Sequence, residues 1–186
     1  LSSKDQYVEL VNEANANTTG YTPKVAANYP ASTDWYAQLL RNAIMHNHSL
    51  DISGATEKTS YSVGANYFYQ EGIMNAKNDY DRYNFRARLD QKVNDWFKMG
   101  FNSVASNVKK NNANNNAFFS AFVNPPVYGV YDDANTAAYP IRFGSPQTYN
   151  FGNQYGNPVA AAYYNNSKED GLKLVFSTFA EITLIP

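Results

Sequence analysis

The chain switches between two hydrophobic periods. Tyr7, Val8, Leu10, Val11 and Ala14 recur at helical spacing behind Ser3-Lys4-Asp5-Gln6. That tetrapeptide is a capping box, Ser3 accepting from the amide three residues on and Gln6 reaching back. The pattern predicts a short amphipathic helix over 4–15. Gly20, Pro23 and Pro30 mark 15–31 as loop. Ser32-Thr33-Asp34 offers a second N-cap, with Trp35, Leu39 and Ala43 on one face of a helix over 34–43. From His48 the period becomes two. His48, Leu50 and Ile52 alternate with Ser49, Asp51 and Ser53, and 54–59 reads as a turn. Tyr61, Val63, Ala65, Tyr67 and Tyr69 form the next apolar set, and Tyr83, Phe85, Ala87 and Leu89 the one after it. A tight turn near 92–95 leads to Phe97, Met99, Phe101, Ser103 and Ala105.

Past Asn107 the alternation breaks. An Asn-rich tract at 111–116 and prolines at 125, 126, 140, 146 and 158 predict a long irregular segment. Alternation returns at the end, with Leu172, Leu174, Phe176, Ala180, Ile182 and Leu184 on one face. Lys173, Ser177, Glu181 and Thr183 lie on the other, with Val175 and Phe179 as exceptions. The expected layout is a loop with two short helices over 1–46, four strands in hairpins over 47–108, a long loop over 109–170 and a strand over 171–186.

Such strands suit two architectures. In a soluble β-sandwich the apolar face is core. In an antiparallel up-and-down membrane barrel it meets lipid, and the polar face lines the lumen. Alternation does not separate them, and the pattern by itself leaves the two balanced. Two details point to the barrel. Tyr61, Tyr67, Tyr69, Tyr83 and Trp96 frame the apolar sets at strand ends, where aromatics suit the headgroup level. The links at 54–59 and 91–95 are short, whereas those at 71–82 and 109–170 are long.

Composition narrows the field. Lys and Arg total 15 and Asp and Glu 16, so no net field attracts nucleic acid. Charged residues are 17% of the chain and aromatics 16%, an unusual balance for a cytosolic enzyme. The absence of Cys removes disulfides, thiolate catalysis and Cys-based zinc. No apolar run of about 18 residues occurs, which excludes a transmembrane helix and says nothing of barrel strands. The chain opens on Leu1 with no signal peptide, and reads as an internal piece of a longer protein.

Thr33–Ile73 (TDWYAQLLRNAIMHNHSLDISGATEKTSYSVGANYFYQEGI), followed by Tyr80–Asn102 (YDRYNFRARLDQKVNDWFKMGFN), resembles the early barrel region of SusC/RagA-like TonB-dependent transporters. The segments Asp5–Ala14, Phe122–Tyr131 and Gly156–Ala160 resemble further family motifs, in the family's order. Ala55 replaces a usual Gly, and Ala65-Asn66 replaces a usual Leu-Gly. The resemblance implies a partial transmembrane β-barrel in a Gram-negative, Bacteroidetes-like outer membrane. It implies import of glycans or peptides with a SusD-like surface lipoprotein, energised through TonB by a region outside this chain. The other expected partners are the plug, the remaining barrel strands and the lipid bilayer. The alternative is a soluble β-sandwich carbohydrate-binding module. Five predicted strands do not close a barrel, whose smallest bacterial form has about eight. By parity, the short turns are periplasmic and 1–46, 71–82 and 109–170 are extracellular.

In the barrel reading Leu50, Ile52, Val63, Phe85, Leu89 and Phe101 face lipid, while Asn84, Arg86, Arg88, Asp90 and Lys98 line the lumen. There they form a structural network or contact substrate. Tyr128, Tyr131, Tyr139, Tyr149 and Tyr155, with Phe143, crowd the long loop. They stack on a sugar or peptide, or pack the loop on itself or on a lipoprotein. His46 and His48 share a strand face, but no carboxylate completes a metal site; an interfacial pair is the simpler reading. Asp79, Asp81, Asp132 and Asp133 match no EF-hand loop and read as solvated carboxylates. No paired catalytic carboxylates, Ser/His/Asp order or phosphate-cradling loop appears. The expectation is a non-enzyme without cofactor or metal.

Overall fold

The computed structural model describes residues 3–132, 143–149, 155–164 and 166–184. Five antiparallel strands form one open sheet in the order β1-β2-β3-β4-β5, which is also their order along the chain. They are β1 (Met45–Ala55), β2 (Thr59–Glu71), β3 (Asp79–Lys92), β4 (Phe97–Ala113) and β5 (Asn166–Ile182). The register is unbroken across the first four: Leu50 lies opposite Ala65, Ala65 opposite Phe85, and Phe85 opposite Ala105. The turns are made by short polar side chains. Thr56 accepts from the Thr59 amide through Oγ1 and donates its own amide to the Thr59 carbonyl. Asn94 Oδ1 accepts from the Trp96 amide, an Asx-type turn that returns the chain into β4. Beside it, a hydrogen bond from Lys92 holds the Asp95 carboxyl below its ordinary range.

Strands β3, β4 and β5 run further than alternation predicts. β4 continues to Ala113, and β5 begins at Asn166. These extensions are polar on both faces, so they carry no period-two signal. Side-chain amides hold them instead: Asn111 donates to Asp79 at 2.8 Å, and Asn112 to Glu169 at 2.7 Å. The expected links at 71–82 and 109–170 shorten accordingly.

The remaining residues make a second compact unit from three separate stretches, 1–42, 73–77 and 113–167. α1 (Lys4–Ala14) is capped by Ser3, whose Oγ accepts from the Gln6 amide. α2 (Trp35–Leu39) is capped by Asp34, and its Trp35 and Leu39, four residues apart, are both buried. It stops earlier than the expected 43 because Leu40 bridges to Met74 and Arg41 N donates to Ile73 O. Two helices break the expectation of an irregular long loop: α3 (Asn116–Val123) and α4 (Pro158–Tyr164). Short 3-10 turns occupy Ala26–Asn28 and Pro146–Tyr149. The core gathers Val8, Trp35, Leu39, Met74, Val127 and Tyr128 around Ala117, Ala121 and Ala162.

Candidate functional site

The sheet has two chemically distinct faces. Leu50, Ile52, Val63, Phe85, Leu89 and Phe101 fall on one of them by register. Leu50 is 65% exposed, Phe85 48% and Phe176 70%, so this apolar face lies bare among the described residues. Phe101 is half-buried against Phe176, ring centroids 5.5 Å apart. Aromatic rings close the face at its two ends. At one, Tyr67 stacks on Tyr83 at 4.7 Å and His46 on Tyr69 at 5.1 Å, with His48 5.2 Å from His46. Tyr67 donates to Asp81 and Tyr69 to Glu71, so their hydroxyls point away from the apolar band. At the other end lie Tyr61 and Trp96, both exposed.

The opposite face carries Asn84, Arg86, Arg88, Asp90 and Lys98. Arg88 pairs with Asp90 at 2.7 Å, and Arg86 with Asp51 at 2.6 Å; Lys98 reaches Glu181 at 3.8 Å. Side chains this exposed give pairs worth about 0–1 kcal/mol each, enough to order the face and little more. Asn84 donates to Asn66, which donates in turn to Asn47 and Ser49. A cavity of about 450 Å³ lies between this ladder and the Asp51–Arg86 pair.

The loop tyrosines separate into two groups. Tyr128 is fully buried, and this corrects its assignment as a contact residue. Its ring lies 4.8 Å from that of Trp35, and its hydroxyl donates to Asn124 Oδ1 at 2.6 Å. Packing consumes both ends of the side chain, and burial pushes its hydroxyl's pKa well above the ordinary tyrosine value. Tyr131 and Tyr155 are exposed. Tyr131 lies 5.3 Å from Phe143, which also meets Tyr163 and Tyr164 at 5.8 and 5.6 Å. Tyr139 lies outside the described residues, and for Tyr149 only the backbone is described. Sequence reading missed Tyr163 and Tyr164. The available signal was Asn157-Pro158, an N-cap followed by proline at the first helical position. Asn157 Oδ1 accepts from the Val159 and Ala160 amides, and its Nδ2 donates to the Val130 and Gly144 carbonyls. The cap therefore presents α4's tyrosines beside Phe143.

The fold is that of a segment of a known transporter. A structure of the RagAB peptide importer in its closed-closed state matches with a TM-score of 0.67 at 17% identity, covering 100% of this chain and 24% of that one. Another structure, of the RagAB peptide transporter, gives 0.70 at 17%, with the same coverage. Among curated proteins, TonB-dependent receptor P26 of Formosa agariphila is 30% identical over 147 residues, 78% of this chain and 14% of that protein. TonB-dependent receptor P3 of the same organism is 26% identical over 155 residues, 76% of this chain and 14% of that protein. The resemblance to TonB-dependent outer-membrane transporters therefore holds, and the chain spans about 14% of the length of the curated relatives it matches. No protein-family model matches the chain.

Proposed function

We propose that the chain is part of an outer-membrane TonB-dependent transporter that imports glycans or peptides with a SusD-like surface lipoprotein. The two-faced sheet carries this reading. Large apolar side chains lie bare between two aromatic rims, while the opposite face is ion-paired and amide-rich. Lipid suits the first face and a water-filled lumen the second. A β-sandwich instead requires a second layer over the apolar face, and among the described residues Leu50, Ile52 and Phe85 have none. The two open edges of the sheet, β1 and β5, pair with further strands of the same barrel, because unpaired backbone groups are not tolerated in hydrocarbon.

In this reading the turns at 56–58 and 93–96 are periplasmic, and the unit built from 1–42, 73–77 and 113–167 is extracellular. The exposed Tyr131 and Tyr155 then contact substrate or lipoprotein. Substituted-cysteine labelling of the full-length protein on intact cells tests the topology. A Cys at Asn114 reacts with an impermeant thiol reagent, and one at Lys58 does not. The opposite pattern, or recovery of the protein without detergent from the soluble fraction, overturns the reading.

A further inference from the structure

On the polar face, among the described residues, the strand carboxylates already have partners. Asp51 holds Arg86, Asp90 holds Arg88, Glu181 holds Lys98, and Glu169 holds Lys110 and the Asn112 amide. Arg82 stands apart from these pairs. Its Nε is buried with no hydrogen-bond partner, and its guanidinium lies 5.4 Å from the centre of the Phe68 ring. A buried guanidinium N–H without an acceptor is costly in a folded protein, and a water, an ion or a bound group that supplies the acceptor relieves that cost.

The surroundings of Arg82 define the ligand. Phe68 lies directly opposite it on β2, and Tyr80 packs edge-on against Phe68 with centroids 5.9 Å apart. One rung along the strands is the amide ladder, where Asn84 donates to Asn66 at 3.3 Å and Asn66 to Asn47 at 2.6 Å. Ser49, Asn66 and Asn84 line the cavity of about 450 Å³ with Gly64, whose missing side chain makes room for the Asp51–Arg86 pair. A Cβ at Gly64 would collide with the Asp51 carboxylate and the Arg86 guanidinium. The backbone groups of β2 and β3 are spent on their neighbours in the interior of the sheet, so only side chains remain to meet a ligand. That disfavours an extended peptide, which binds chiefly through main-chain hydrogen bonds at a sheet edge.

We infer that this patch is a subsite for an acidic saccharide. Phe68 and Tyr80 offer aromatic surface to a sugar ring, and the amides both donate to and accept from hydroxyls. The guanidinium fork of Arg82 matches a carboxylate or sulfate. The inference rests on the polar face lining the transport path.

The test uses the full-length transporter purified in detergent. Its affinity is measured by calorimetry for two matched tetrasaccharides, one of glucuronate and one of glucose units, and for a tetraglutamate peptide. The expected result is tighter binding of the glucuronate sugar by about tenfold or more, as a charge-assisted hydrogen bond supplies. R82Q abolishes that preference and R82K keeps part of it. N84A weakens both sugars alike. Equal affinity for the two sugars, a preference that survives R82Q, or tighter binding of the peptide overturns the inference. If R82Q fails to fold, as judged by its heat-modifiable band on gels, N84A decides: unchanged sugar affinity overturns the subsite and weakened affinity supports it. Correct cysteine labelling without a saccharide preference sinks the subsite alone. Reversed labelling sinks the transporter topology with it.

Discussion

The indole N–H of Trp35 donates to the carbonyl of Pro125, 90 residues further along the chain, at 3.0 Å. Thr33 reinforces the joint, its amide donating to Pro126 O and its hydroxyl to Tyr128 O. Two of the motifs that carry the family resemblance thus meet in one core. Trp35→Phe retains most of the apolar contact but strands the Pro125 carbonyl, at a cost of about 1–3 kcal/mol. Hydrogen exchange on the full-length protein reads this as faster exchange across 116–128, with exchange in β2 and β3 unchanged. Uniform loss of protection in both units counts against a local role.

Tyr128 and Tyr131 lie three residues apart and take opposite parts. Tyr128→Ala empties a fully buried site and loosens the unit by about 3–5 kcal/mol. Tyr131→Ala leaves the fold intact and lowers uptake or lipoprotein co-purification, with Tyr155→Ala adding to the loss. If Tyr131→Ala and Tyr155→Ala together leave both readouts at wild-type level, the exposed tyrosines are not contact residues.

Alkaline pH isolates the Tyr128 hydroxyl. Its pKa is raised by burial, so the folded state keeps a proton that the unfolded chain gives up near pH 10. Stability from this group is complete below about pH 10 and is lost as pH rises from there toward the folded value. Tyr128→Phe lowers stability at neutral pH by removing the hydrogen bond to Asn124, and flattens the alkaline decline. Proteolytic sensitivity of the 113–128 stretch between pH 8 and 11 measures both effects.

The two faces of β3 give the sharpest test of the membrane. Phe85→Arg on the apolar face costs about 2–4 kcal/mol near mid-bilayer, whereas Asn84→Arg on the opposite face costs little. Denaturant titration of the full-length barrel in lipid vesicles separates them. Equal costs argue against lipid on the Phe85 side.

Asn157 is both helix cap and cross-link. Asn157→Ala removes the acceptor for the Val159 and Ala160 amides and the donor to Val130 and Gly144. A lost cap is worth about 0.5–2 kcal/mol, and the stranded Gly144 carbonyl adds to it, whereas Val130 O keeps the Gly144 amide. Faster exchange confined to 158–164 and its contacts is the expected readout.

The sheet was legible wherever one face is apolar. Leu50, Val63 and Phe85 announce their strands because a single face must be apolar throughout, and the turns follow from Thr56 and Asn94. Lys109–Asn112 and Asn166–Asp170 were invisible as strands, because a strand polar on both faces has no reason to alternate. α3 hid behind the Asn-rich tract. Its buried side chains are Ala117, Ser120 and Ala121, while Phe119 and Phe122 point outward, so the usual large-inside pattern is inverted. The burial of Tyr128 was not readable either, since its partners Trp35 and Asn124 are assigned only by tertiary packing. Arg82 carried no sequence signal beyond its place on the polar face, because its isolation appears only once the neighbouring pairs are drawn.

The joint between Trp35 and Pro125 also sets an order of events. The β1–β2 and β3–β4 hairpins join residues close in sequence, so their loop-closure entropy is small and they assemble early. The helical unit is drawn from three stretches, and its core needs Trp35, Met74, Tyr128 and Ala162 together. It therefore condenses only after the strands between those stretches have paired, and a defect in a β3–β4 rung delays a core that contains no residue of either strand except Ala113.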